Sequence, residues 1–453
     1  MKNLTEILRL AIPLVIIQLC QASLGLVDTL VAGQYHSQDL AGVGLGSSLW
    51  TPVFIFATGV MYVLVPRFSA AVSAGDRQGA AVLFLQGRHV ALILGVVSFV
   101  LIQALAFASP WLLEQGPVGQ IAKHYLHCVA FATPGLAYML LYRFTVEGHS
   151  MLTPIILTGL FLLICHAVLA VVLVNGLLFV SPMGGAGAGL ATAISAYLAL
   201  FFLRALVRRA CPVLVALRSE QAEPPRSGMR DSMALLKQGL PIGLALVLQI
   251  LALSVLAFFA FSLGTDVVSA HQVVITIAMV VVMIPLALGS ATTIRVAAFH
   301  ALGDQQNKRS VALWAFAMAV IYAALAGVAL LWSGPTLTGY FSNDSQVIRV
   351  ASGLIACLAV FQFFDAVQMV ASGVLRGLGD FMKPFAVVVF AYWIIVIPAG
   401  YVIGVRYAQD IGMVWTVLAL AIFVAAGVLC RYVYKALSGP GETVKLVPSA
   451  VSR

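Results

Sequence analysis

Residues 10–33 read LAIPLVIIQLCQASLGLVDTLVAG, an apolar run interrupted by one carboxylate, Asp28. Coiled as an α-helix, a run of about 20 residues crosses the roughly 30 Å hydrocarbon layer of a bilayer. An acid at that depth costs roughly 2.5–3.5 kcal/mol to insert, so Asp28 reads as a functional residue; the plainer alternative is a carboxyl that only hydrogen-bonds a neighbouring helix. Comparable runs recur at about 46–68, 88–112, 121–145, 153–178, 185–207, 238–262, 268–298, 311–333, 346–376, 384–405 and 411–434. The run 346–376 carries a second deep acid, Asp365. With 62% hydrophobic and 9% charged residues and a mean hydropathy of +1.05, the composition excludes a water-soluble globule. It predicts an all-α membrane protein with twelve transmembrane helices.

The formal net charge of +9 follows topology rather than gathering in a domain. With both termini placed in the cytoplasm, all but Lys123, Arg349 and Arg406 of the 25 Lys and Arg residues fall on that side, as the positive-inside rule requires. The charge therefore orients a multi-pass chain in its membrane and calls for no nucleic-acid partner. No small-residue cleavage site follows the first run, so it reads as a retained helix rather than a signal peptide. The six cysteines, Cys20, Cys128, Cys165, Cys211, Cys357 and Cys430, show no CxxC or Cys/His spacing. That predicts neither a disulfide framework nor a metal site.

Displaced by 228 residues, the chain matches itself: Pro13 falls on Pro241, Gln21 on Gln249, Arg67 on Arg295, Ala70 on Ala298, Gly75 on Gly303, Asp76 on Asp304 and Gln78 on Gln306. One register held across two helices and a loop marks an internal duplication. The expected division is an N-terminal six-helix lobe 1–209, a polar, proline-bearing cytoplasmic linker 210–232, a C-terminal six-helix lobe 233–437 and a cytoplasmic tail 438–453. Because six is even, both repeats enter the membrane in the same direction. A substrate path between the bundles, opened alternately to either side, is the expectation.

On the first run Gln18, Gln21, Gly25 and Asp28 recur at helical spacing and form one polar stripe. Lipid does not solvate such a stripe, so it should face the bundle interior, and Pro13 gives the helix a place to bend. Gln362, Asp365, Gln368 and Ser372 repeat the pattern on the tenth run. For Asp365 too the alternative is a structural carboxyl, although no basic residue lies at mid-membrane to pair with it. A carboxyl removed from water resists ionisation and an arriving cation favours it, so proton and cation compete for the same oxygens. His166, in the fifth run, reads first as a packed, hydrogen-bonded side chain and second as a proton relay. Glu147, four residues after Arg143, reads as half of a solvated ion pair. Gly377-Leu-Gly-Asp380 spells the string of intramembrane aspartyl proteases, but it lies in a short basic loop where catalysis is not expected.

Taken together, Leu26-Val-Asp-Thr-Leu-Val-Ala-Gly33, Asp39-Leu-Ala-Gly-Val43, Gly46-Ser-Ser-Leu-Trp-Thr-Pro52, Gly239-Leu-Pro-Ile-Gly-Leu-Ala-Leu246, Ala270-His-Gln-Val273, Gly289 with Ile294-Arg-Val296, Asp365-Ala-Val-Gln-Met-Val370, Gly373-Val-Leu-Arg-Gly377 and Tyr392-Trp393 carry a resemblance. The chain resembles the MATE multidrug-and-toxin extrusion transporters, in particular their NorM-like bacterial branch, nearly end to end. The resemblance implies two six-helix lobes around a cleft and cation-coupled export of amphipathic, often cationic compounds in exchange for Na+ or H+. It implies Asp28 as the N-lobe acid of proton and substrate binding, Asp365 as the acid of a C-lobe cation site, and Pro13 as the bend of the first helix.

Three positions depart from that branch. Gln249 stands where a glutamate is usual, Phe361 where some members have tyrosine, and His166 where asparagine is usual. A glutamine offers a cation only a neutral carbonyl, which favours H+ over Na+ as the coupling ion. Cation and proton binding is thus expected at Asp365, Asp28 and Gln249, with Gln21, Gln362, Gln368, Phe361, Pro13 and His166 lining or gating the cavity. The reading is a monomer that needs the bilayer, a coupling ion and a small amphipathic cation, with no cofactor. No nucleophile, base and metal constellation argues for an enzyme. The alternative function is a lipid or lipid-linked oligosaccharide flippase, although phosphate-bearing cargo calls for a basic cavity rather than an acidic one.

Overall fold

The computed structural model describes residues 2–112, 116–177, 181–216 and 228–439. Residues 217–227 of the expected linker 210–232 and nearly all of the tail 438–453 lie outside the described residues. Among the described residues eleven helices are long and apolar enough to cross a membrane, and one bent pair supplies a twelfth span. They are α1 (Asn3–Tyr35), α2 (Ser37–Ser73), α3 (Arg77–Ser109), α4 (Pro117–Ala130 with Ala132–Gly148), α5 (Thr153–Asn175), α6 (Gly185–Val207), α7 (Met229–Leu263), α8 (Thr265–Ala301), α9 (Gln305–Gly334), α10 (Ser345–Gly377), α11 (Met382–Ala408) and α12 (Ile411–Ser438). Each coincides with one of the apolar runs, so the twelve-helix architecture stands. All six cysteines are free thiols.

Proline chemistry shapes several spans. The two halves of α4 meet at 44°, three residues before Pro134, whose missing N–H leaves the Ala130 carbonyl without its helical donor. Thr133 Oγ1 supplies that donor at 2.8 Å. On α8, Pro285 likewise frees the carbonyl of Val281, which accepts from Tyr322 Oη at 2.6 Å. By contrast α1 runs unbroken through Pro13. In α11, Phe390–Val396 and Gly400–Ala408 are π-helical on either side of Pro398, and widened turns of this kind often accompany functional sites.

The duplication is visible in conformation as well as in letters. Gly75 and Gly303 adopt φ of +70° and +69°, the left-handed cap that ends a helix. The next residue of each repeat caps the following helix: Asp76 Oδ1 accepts from Gly79 N at 2.7 Å, and Asp304 Oδ1 from Asn307 N at 2.9 Å. The protease-like Gly377–Asp380 string builds the same turn, with Gly379 at φ +84° and Asp380 Oδ1 accepting from Lys383 N at 3.1 Å. Asp380 thus caps α11.

By contact the described residues divide into two compact units, those up to Val15 together with 245–439, and Ile16–Leu244. The boundaries fall inside α1 and α7, just past the repeat-related Pro13 and Pro241. Relative to the repeats 1–209 and 233–437, the first turns of α1 and α7 are exchanged. Repeat-related arginines hold both exchanged segments. Arg295 on α8 donates to Glu6 on α1, and Arg67 on α2 donates to Gln238 on α7.

Helix α10 packs against α8, α9 and α12, and glycines set its depth against α8. A Cβ on Gly373 would lie 2.4 Å from the Gly289 carbonyl oxygen, and Thr293 Oγ1 donates to Gly373 O at 3.0 Å across the same contact. Gly373→Val is therefore expected to destabilise the protein by about 1–3 kcal/mol, the usual range for overpacking. Thermal unfolding in detergent measures this, and an unchanged midpoint would contradict so close a packing.

Candidate functional site

The two deep acids lie in different units and have different surroundings. In the unit Ile16–Leu244, Asp28 on α1 is 7% exposed, and His166 on α5 is 1% exposed. His166 Nε2 lies 3.0 Å from Asp28 Oδ1. Its other ring nitrogen lies 3.5 Å from Ser195 Oγ on α6, which itself donates to Thr192 O at 3.1 Å. The helix pair α5–α6 thus presents an imidazole to the α1 carboxylate. His166 is packed and hydrogen-bonded, and its partner is the acid that the sequence had singled out separately.

Tyr125 on α4 completes this end of the unit. Its hydroxyl accepts from Trp50 Nε1 at 3.0 Å and Ser47 Oγ at 3.2 Å, both on α2. Two accepted bonds leave its own proton to donate, and the ring lies within the field of Asp28. Trp50 sits in the Gly46–Pro52 string noted above, but nothing local to Tyr125 announced it. Gln21 is half-buried on α1, two turns before Asp28, and is not among the hydrogen-bonded partners of that acid.

Asp365 sits on the face of α10 that also carries Gln362 and Gln368; the three are 1%, 0% and 2% exposed. Asp365 Oδ1, Gln368 Oε1 and both polar atoms of Gln362 are buried with no hydrogen-bond partner among the described residues. Buried polar atoms are ordinarily paired, so three unsatisfied oxygens at helical spacing form an acceptor-rich wall. A proton on the carboxyl or a small cation satisfies such a wall, whereas an anion does not. Around it, Gln249 Nε2 on α7 donates to Tyr392 Oη on α11 at 3.2 Å. Tyr392 is fully buried and lies in the field of Asp365. The neighbouring Trp393 Nε1 donates to Leu248 O at 3.0 Å, so α11 is tied to α7 at two successive residues, Leu248 and Gln249.

His271 on α8 belongs to the Ala270–Val273 string. Trp415 Nε1 on α12 donates to its Nδ1 at 3.2 Å, which places the ring proton on Nε2 when the imidazole is neutral. Nε2 is buried without a partner. Phe361 packs edge-on against Trp415 at 6.2 Å between centroids. It lines the wall of His271 and Trp415 rather than offering a ligand atom.

One expectation is corrected. Arg143 and Glu147 are 7% and 1% exposed, with Nε and Oε2 3.7 Å apart, so the pair is buried rather than solvated. The last turns of α2 cover it: a Cβ on Gly148 would meet Phe68 at 2.4 Å. Among the described residues there is no His/Cys/Asp/Glu cluster fit to hold a metal ion.

The MatE family model matches twice, over residues 13–172 and 241–402, and both matches start at the repeat-related prolines. A probable multidrug resistance protein NorM of Acinetobacter baylyi is 30% identical over 437 residues, covering 96% of each chain. The multidrug resistance protein NorM of Aliivibrio fischeri is 30% identical over 407 residues, 89% of this chain and 87% of its own. A solved structure described as the outward-facing conformation of a multidrug resistance MATE family transporter of the MOP superfamily superposes with a TM-score of 0.86 at 20% identity, covering 96% of each chain. With the family model repeated in the register of the duplication and relatives matched over most of their length, the chain belongs to the MATE family.

Proposed function

We propose that this protein exports small amphipathic cations across a bacterial inner membrane by antiport against protons, with both termini cytoplasmic. The acceptor-rich wall of Asp365, Gln362 and Gln368 carries the proposal: buried oxygens without protein donors suit either a proton or a cation, one at a time. The relatives named as multidrug resistance proteins support the cargo class. Cation release follows protonation on one side, and cation loading follows deprotonation on the other. Gln249, which donates to Tyr392, keeps only its neutral carbonyl for an ion, and this supports H+ over Na+. Where α1 and α7 pass between units, Pro13 and Pro241 act as the bends that a change of access requires.

Exchange of one proton for one monovalent cation moves no net charge, so the pH gradient alone drives it, with about 1.4 kcal/mol and tenfold enrichment per pH unit. The test is efflux of a fluorescent lipophilic cation from proteoliposomes under separate pH and Na+ gradients. Efflux is expected under a pH gradient in Na+-free buffer and should collapse with a protonophore. An absolute Na+ requirement would overturn proton coupling, and no efflux under either gradient would favour a lipid flippase.

A further inference from the structure

A groove of about 670 Å³ opens along α9, far in sequence from both deep acids, and its wall is one stripe of that helix from Gln305 to Ala317. The stripe changes character along the helix axis. Its first two turns present Gln305, Gln306, Arg309 and Ser310, and the next turn presents Leu313 and Trp314. The polar end is held by other segments of the same unit. Arg309 Nε donates to Leu437 O at 2.7 Å, Gln305 Nε2 to Gly439 O at 3.3 Å, and Asn3 Nδ2 to Ser310 Oγ at 3.0 Å. With Nε engaged, the exposed Arg309 offers its Nη groups as a preoriented fork to an outside acceptor. The adjacent acid, Asp304, is turned to capping: both of its oxygens accept from Asn307.

Below this cationic end, Leu313 is 71% exposed and Trp314 37%, on a helix that spans the bilayer. Trp at the junction of polar and apolar surface is characteristic of the membrane interface. A fixed guanidinium above an apolar wall, both along one span, matches the profile of a phospholipid standing in its leaflet. We infer that this groove binds an anionic phospholipid such as phosphatidylglycerol, its phosphate on Arg309 and its acyl chain against Leu313 and Trp314. Arg309, the one cation among the described residues that line the groove, disfavours the ammonium of a zwitterionic headgroup. The basic end lies where α1 begins and α12 ends, the side that the positive-inside rule assigns to the anionic cytoplasmic leaflet.

The test is native mass spectrometry of the full chain, offered equal amounts of phosphatidylglycerol and phosphatidylethanolamine with identical acyl chains. The wild type is expected to retain phosphatidylglycerol about fivefold over phosphatidylethanolamine, the ratio expected of one Arg–anion contact at a membrane surface. Arg309→Gln and Gln306→Glu should each bring the ratio close to one. If Arg309→Gln fails to fold, Gln306→Glu, which changes an exposed side chain, decides alone. Equal retention by the wild type, as expected if residues 440–453 or another protein filled the groove, overturns the proposal. A preference unchanged in the folded variants also overturns it, by placing the lipid elsewhere.

Discussion

Asp365→Asn is expected to abolish pH-driven export while leaving the protein folded. The substitution keeps shape and an acceptor oxygen at the unpartnered Oδ1 position, and among the described residues no basic side chain pairs with the carboxyl, so the unfolding midpoint should move little. What disappears is the group that exchanges a proton for a cation. A desolvated charge partner lost from one side of a pair typically costs about 2–5 kcal/mol, or roughly 30- to 5,000-fold in affinity. Binding of a lipophilic cation to purified protein should weaken within that range, and accumulation driven by a pH gradient should fall to that of empty liposomes. Retained pH-driven export in Asp365→Asn would remove this carboxyl from the mechanism and move the coupling to Asp28.

His166→Ala carries the second large effect, and it falls on stability. It removes the hydrogen bond to Asp28 and leaves a buried carboxylate without its partner, a change that costs about 3–5 kcal/mol at buried pairs. Asp28→Asn in the same protein removes the stranded charge, so the double variant should recover much of the loss. Unfolding of the wild type, both single variants and the double variant forms a thermodynamic cycle, and strictly additive effects would show that the 3.0 Å contact carries no coupling. His166→Asn, the residue usual at this position in the branch that the sequence resembles, should keep an amide donor for Asp28 and lose less. The same three variants assayed for efflux across pH would separate a proton-carrying histidine, which shifts the pH profile, from a packing histidine, which does not.

Much of the candidate site was legible because insertion energy makes it so. Asp28 and Asp365 stand out in apolar runs since a charge there is costly, and Gln362 and Gln368 join Asp365 through helical spacing alone. His271 and Tyr125 were not legible as site residues. A histidine or tyrosine on an apolar helix looks the same whether its polar atom meets Trp415, Trp50 or nothing. The solvated reading of Arg143 and Glu147 failed for a related reason: four-residue spacing reveals that the two side chains meet, but not that the end of α2 lies over them.

The twelve spans, the duplication and the capped turns that repeat with it are written in local sequence, because apolar length, helical period and the left-handed glycine are properties of a few neighbouring residues. Family membership follows from the same strings. Helix packing, by contrast, brings His166 to Asp28 across 138 residues, has Gln249 donate to Tyr392 rather than to Asp365, and groups the first turns of α1 and α7 with the opposite repeat. Those outcomes depend on how helix faces interlock, and an apolar face specifies burial without naming the helix that will cover it.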